Sequence, residues 1–215
     1  MIFVVKGFAL IMVGVVGLVS AVNRSRTRAA LRAKIAAAPG EFEDNAVVTF
    51  IGTVKSIGEP LVAPLSGKPC VAYRAVARTY VFRAGGAALL ARSVIGSSRT
   101  LGQEVVDVEL TTFVLATKSG DVIVEGETCE LLLPMLPLIP RKLELEQSFL
   151  DRAGLDTYAR DAGFNECRVE VGAKIRVHGV SRSELATAGE TGFREAPTQI
   201  RISGDGAHLL TIDRA

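Results

Sequence analysis

Residues Ile2–Val22, IFVVKGFALIMVGVVGLVSAV, form an apolar stretch with one charge, Lys6. As a helix it rises about 31 Å, the thickness of a bilayer's hydrocarbon layer. Residues 1–23 are therefore expected to be a transmembrane helix, with Lys6 near enough to its end to reach the headgroups. The rival reading is a cleaved signal peptide, since Val19-Ser20-Ala21 offers small residues suited to cleavage. Charge placement opposes it: a signal peptide carries its basic residues before the apolar run, and here they follow it.

Those basic residues are Arg24, Arg26, Arg28, Arg32 and Lys34. The segment 24–41 reads as a basic juxtamembrane helix or linker that Pro39-Gly40 ends. Arg24, Arg28 and Arg32 share one helix face, where they would contact lipid phosphates. Dense positive charge beside a span is retained in the cytoplasm. This predicts a single-pass protein of the cell membrane with its C-terminal domain in the cytoplasm. Gly7, Gly14 and Ala21 recur on one face of the span, so a homodimer through the membrane helix is open.

Removing the six basic residues up to Lys34 from the net charge of +2 leaves −4 for Ile35–Ala215. A domain that binds nucleic acid normally carries its own basic surface, so nucleic acid is not an expected partner.

From residue 42 to 215 the chain reads as one β-rich domain. Strands are expected over Ala46–Ile57, Cys70–Phe82, Glu104–Ala116 and Thr128–Leu133, with a hairpin turn at Thr117–Asp121. In the second strand Val71, Tyr73, Ala75 and Ala77 would share one face, and Cys70, Ala72, Arg74 and Val76 the other. In the third, Val106, Val108 and Leu110 alternate with Asp107, Glu109 and Thr111. Arg83–Leu101 reads as a hairpin tip or loop. Leu131–Pro140 is too short and too proline-rich for a second span, and reads as a strand end followed by an extended connection. The only helix expected here is Ser148–Gly163, with a possible break near Gly154. Arg168–Arg182 gives two β pieces around a turn at Gly172, and residues 198–213 a closing hairpin. The fold class implied is mainly β: a barrel-like domain with one short helix, comparable to oligonucleotide/oligosaccharide-binding (OB) barrels.

Catalytic signatures are scarce. Cys70, Cys129 and Cys167 are far apart and form no C-x-x-C, and the two histidines, His178 and His208, complete no zinc spacing. Three reduced, buried thiols are the expected state. No G-x-S-x-G, H-E-x-x-H or P-loop occurs. No cofactor and no metal are implied.

One stretch has a family likeness. Gly52–Arg74 (GTVKSIGEPLVAPLSGKPCVAYR) resembles the GIDE or "beside a membrane" (BAM) domain, the non-RING part of GIDE/Mulan-type mitochondrial membrane ubiquitin ligases. Its most specific piece is P-L-S-G-x-P-C-x-x-Y, Pro64–Tyr73. Phe113–Val124, Phe149–Leu155 and Glu166–Gly179 follow in the order expected of the family. The resemblance implies the domain and not the ligase: a RING needs eight zinc ligands, and cysteine and histidine together number five. It also sets an alternative orientation, since the mitochondrial relatives place this domain between two membranes.

The candidate binding residues are accordingly Pro64, Ser66, Gly67, Pro69, Cys70, Tyr73 and Arg74. Each has a structural role available: the first four as turn formers, Cys70 as a core thiol, Tyr73 and Arg74 as packing or solvated groups. No catalytic residue is assigned. The leading expectation is a non-catalytic module that binds a partner protein or ligand beside the membrane. The alternatives are a component of a ubiquitin-ligase-like system, an enzyme with Cys70 or Cys129 as nucleophile, or a membrane-organising protein acting through anchor dimers.

Overall fold

The structure, a computed structural model, describes residues 29–31, 33, 42–81, 100–127, 129–185, 198–205 and 208–215. The expected span Ile2–Val22, the five basic residues after it, Phe82 at the end of the second expected strand and residues 83–99 of the expected loop lie outside these. Among the described residues no helix is long and apolar enough to cross a membrane. Ala29, Ala30, Leu31 and Ala33, in the juxtamembrane segment, are helical.

The elements run β1 (Val47–Ser56), β2 (Leu61–Val62), β3 (Pro69–Cys70), β4 (Ala72–Val81) and β5 (Thr100–Leu110). Next come β6 (Phe113–Thr117), β7 (Gly120–Val124), β8 (Cys129–Leu131) and β9 (Leu136–Pro137). Helix α1 (Leu143–Arg152) and a 3-10 turn (Ala159–Asp161) precede β10 (Ala162–Val169), β11 (Lys174–Leu185), β12 (Thr198–Ser203) and β13 (Leu210–Arg214). The domain is mainly β, as its sequence implies.

Five strands close a barrel in the order β1-β6-β7-β12-β11, with β11 pairing back onto β1. All neighbours are antiparallel except β7 and β12. Alternation along β1 sends Val48, Phe50 and Val54 inward, where they meet Phe113, Leu115 and Val122. Gly52 sits where β1 pairs with both β11 and β6. A Cβ there would lie 2.5 Å from the Ala116 carbonyl oxygen, so this crossing admits only glycine without a backbone shift.

A second layer, β5-β4-β10-β9, lies beside the barrel. One part of it completes the barrel core through Ala72, Cys167 and Val169. Tyr73, Ala75, Ala77 and Phe164 instead build a separate core with Phe149 and Leu150 of α1 and Leu65 of the β2–β3 hairpin.

The Thr117–Asp121 hairpin forms as expected, with Thr117 opposite Gly120. Several other expectations are corrected. The single strand expected over Glu104–Ala116 is two strands in two sheets, broken at Thr111-Thr112. Within β5 the apolar residues Val106 and Val108 of the alternation are exposed, while Leu110 packs on the barrel core. The bend at Val71 shifts the face pattern of β4: Val71 joins the barrel core, and Cys70 joins Tyr73 in the second.

The helix is displaced toward the N-terminus. It begins at Leu143, with Glu144 and Glu146 in the first turn complementing the helix dipole. It ends at Arg152, with Gly154 just beyond at a φ of 68° that suits a helix end, and the remainder of the expected helix is turn, 3-10 turn and strand. The two β pieces around the turn at Gly172 do form as expected, and they belong to different sheets: β10 pairs with β4 and β9, whereas β11 pairs within the barrel. β12 and β13 do not pair with each other: they lie end to end along β11, changing over at Gly179.

Candidate functional site

The Pro64–Tyr73 motif folds as a tight loop between β2 and β3 and continues into β4. Pro64, Leu65 and Ser66 form the turn, closed by Gly67 N–H donating to the Ala63 carbonyl at 2.8 Å. Gly67 has φ 65°, a conformation other residues rarely adopt. Pro69 opens β3 and pairs with Val62. The turn directs two backbone N–H groups, of Leu65 and Ser66, at one carboxylate oxygen of Glu166 on β10, at 3.0 and 3.2 Å. Glu166 is buried, and Arg168 Nη1 lies 3.7 Å from its other oxygen. Lys142 Nζ donates to the Ser66 carbonyl at 2.7 Å. The motif thus holds a buried carboxylate and fastens the β2–β3 loop to β10 and to the start of α1.

Cys70, Cys129 and Cys167 are all buried, and none is in a disulfide. Burial first, then the Glu166 carboxylate, pushes the Cys70 thiol up to about 11. Burial pushes Cys129 up to about 12. A nucleophilic cysteine needs a lowered pKa and access, and both of these thiols are held in the opposite state.

Tyr73 is buried, and its hydroxyl donates to Glu109 Oε2 at 2.7 Å with Asp107 Oδ2 at 3.1 Å. Burial, then these carboxylates, raise the phenol well above its ordinary value. Tyr73 therefore acts as a neutral donor that ties β4 to β5. Arg74 faces the other side of β4, half-buried, and its buried Nε has no hydrogen-bond partner.

His178 bonds Thr49 across β11 and β1 at 2.9 Å, and His208 lies 3.2 Å from Asp205. Among the described residues no three His, Cys, Asp or Glu side chains converge as metal ligands.

A cavity lies beside the motif's loop. A space of about 510 Å³ opens between the second layer, the Leu133–Pro140 connection and the end of the barrel. That is the size of a small-ligand or short-segment site. Cationic residues around it are Lys68, Lys142, Arg168, Lys174 and Arg214, opposed by Glu166 and Glu170. Its apolar wall includes Leu133, Leu136, Pro137 and Ile139, of which Leu136 is 61% and Ile139 88% exposed.

Of the motif residues, Ser66 lines this cavity together with Lys68 of the same loop. Pro64, Gly67, Pro69, Cys70, Tyr73 and Arg74 do not. Sequence reading missed Lys142, Lys174 and Arg214 because they come from three distant elements. The one available signal was the proline spacing of Leu131–Pro140, which marks an extended segment that cannot be covered as an inner strand. The basic residues Arg24, Arg26, Arg28, Arg32 and Lys34 lie outside the described residues.

No protein-family model, curated protein or solved structure matches the chain at a significant level.

Proposed function

We propose that the chain is a membrane-anchored, non-catalytic binding module of GIDE/BAM type, which takes a partner protein in the cavity between its two layers. In this reading Ile2–Val22 spans the cell membrane, Arg24, Arg26, Arg28, Arg32 and Lys34 contact lipid headgroups, and the domain is cytoplasmic. The observation that carries it is the cavity: cations around an exposed apolar wall, in a domain otherwise mildly acidic. The order in which the barrel closes, with its only parallel pair between β7 and β12, supports an OB-type reading of the fold. OB barrels serve many binding functions and need no catalytic group of their own. The raised thiols of Cys70 and Cys129 weigh against the cysteine-enzyme alternative. For a ligase-like role in a larger complex, no residue described here supplies the chemistry.

The test uses the full chain in its native membrane. Proteins captured with it are compared with those captured by the variant Leu136→Ser/Ile139→Ser, which removes apolar contact from the cavity wall. A partner retained by the natural chain and lost by the variant supports the cavity as the binding site. An unchanged set of partners, from a variant that melts like the natural chain, overturns it.

A further inference from the structure

We propose that the partner presents to this cavity an acidic, extended segment, with its carboxylates on Lys68, Lys174 and Arg214 and its apolar side chains on Leu136 and Ile139. This inference rests on the binding-module reading and names the chemistry of its ligand.

The first argument is charge. The cavity's five cations exceed its two carboxylates by three, in a stretch from Ile35 to Ala215 whose net charge is −4. A positive site on an acidic domain attracts anions.

The second argument is which cations are free. Arg168 is bound to Glu170 at 2.7 Å, and Lys142 to the Ser66 carbonyl at 2.7 Å. The side chains of Lys68, Lys174 and Arg214 have no hydrogen-bond or ion-pair partner among the described residues. All three are exposed. They come from the β2–β3 loop, the start of β11 and the end of β13, so they surround the opening from separate elements.

The third argument is the wall. Leu136 and Ile139 stand exposed beside these cations, and Pro134, Pro137 and Pro140 carry no N–H. An occupant therefore gains little from main-chain pairing on this side and is selected through its side chains. Carboxylates interleaved with apolar residues satisfy both the charge and the wall.

The fourth argument separates a protein segment from the bilayer. The chain comes from the expected anchor into β1 at Val47, which pairs with Val180. Lys174 pairs with Thr53 at the far end of that ladder. Six residues of strand span about 20 Å, so Lys174 lies about that far from the end at which the chain enters β1. A lipid surface would favour cations at the anchored end.

The test uses the full chain in nanodiscs of neutral phosphatidylcholine. The probe is a fluorescent peptide of repeated Glu-Pro-Leu-Glu, compared with the same peptide carrying Gln for Glu. The acidic peptide is expected to bind about tenfold more tightly, and the variant Lys68→Glu/Lys174→Glu/Arg214→Glu to lose about tenfold in affinity, since opposed charges are replaced by like ones. The loss should shrink as salt is raised. Equal binding of the two peptides, or an unaffected triple variant, overturns the proposal. So does recruitment of phosphatidylserine vesicles through the same three cations without binding of the peptide, which would make the site a membrane contact. If the acidic peptide fails while partner capture still depends on Leu136 and Ile139, the ligand class falls and the binding site stands. If both fail, the site falls with it.

Discussion

The barrel and the layer beside it are stabilised by different means. Inside the barrel the packed side chains are apolar, with Phe50, Phe113, Leu115 and Ile202 among them. Beside it, the two buried glutamates, Glu146 on α1 and Glu166 on β10, sit at the joints between elements. Arg141 chelates Glu146, with Nη2 at 2.6 Å, donates to the Ala159 carbonyl at 2.7 Å and lies 5.6 Å over the Phe164 ring. One guanidinium thereby links α1, the 3-10 turn and β10. Apolar packing resists change in bulk, whereas a buried ion pair depends on each partner, because an unpaired buried charge is costly. The cavity borders the layer built in the second way.

The strongest way to break this contrast is to damage the barrel core. Phe113 is fully buried and lies opposite Ser56 and Val124. Phe113→Ala should destabilise the domain by about 3–5 kcal/mol, through lost transfer energy and the hole left behind. Hydrogen exchange on the full chain in detergent should then show lost protection in β1, β6 and β7 and, with them, in α1. Retained protection in the barrel would mean that the second layer is the framework.

Removing one partner of the ion pair should have a smaller and more local effect. Arg141→Ala leaves Glu146 buried without its counter-charge, a change worth about 1–3 kcal/mol, since the Arg141 side chain is 42% exposed and solvent screens part of the attraction. Exchange should accelerate in α1 and the 3-10 turn while β1, β6 and β11 stay protected. Uniform loss across both layers would contradict the separation of the two cores.

The same contrast explains what was legible in the sequence. Val48, Phe50 and Val54 announce a barrel strand because a closed sheet with an apolar interior imposes period two. The Thr117–Asp121 turn was legible because Gly120, with φ 127°, marks a tight connection. In the second layer the periods mislead. Asp107 and Glu109 bond the Tyr73 hydroxyl, so in β5 the polar side of the alternation carries the contact to β4 while Val106 and Val108 are exposed. Leu143–Glu146 was not read as the helix start because Lys142 provides no side-chain cap there. Strand order was not readable at all: nothing in residues 198–213 distinguishes a hairpin from two strands laid end to end on β11. The motif residues were legible as a turn, but their task of holding Glu166 depends on a contact a hundred positions away in the chain.

The cysteines sharpen the comparison, with Cys129 in the barrel core and Cys70 in the other. From an ordinary value of 9.0, folding raises Cys70 to about 11 and Cys129 to about 12. A thiol raised in this way contributes stability that is fully present below pH 9 and is lost as pH climbs through the folded values. Alkylation of Cys70 near pH 8 should run roughly a hundredfold slower in the native chain than in denaturant, since two pK units deplete the thiolate by that factor. As pH rises, Cys70 should react before Cys129. Mass spectrometry of alkylated peptides reads both rates, and fast labelling of Cys70 at neutral pH would restore it as a candidate nucleophile.

The smallest effect belongs to an ion pair on the barrel's surface. Lys55 Nζ lies 3.0 Å from Asp121 Oδ2, joining β1 to the start of β7 across β6. By distance alone it compares with the Arg141–Glu146 pair. Its surroundings differ: both Lys55 and Asp121 side chains are 56% exposed, so water and salt screen the attraction and ordering two side chains offsets it. A double-mutant cycle with Lys55→Ala and Asp121→Ala should therefore give a coupling below about 0.5 kcal/mol, falling as salt is added. The Arg141–Glu146 pair, run through the same cycle, should give a larger coupling that salt changes less, because Glu146 has no solvent contact although Arg141 is 42% exposed. If the two couplings were equal, burial would not be what sets the layers apart, and the division between an apolar barrel and an electrostatically jointed layer would have to be abandoned.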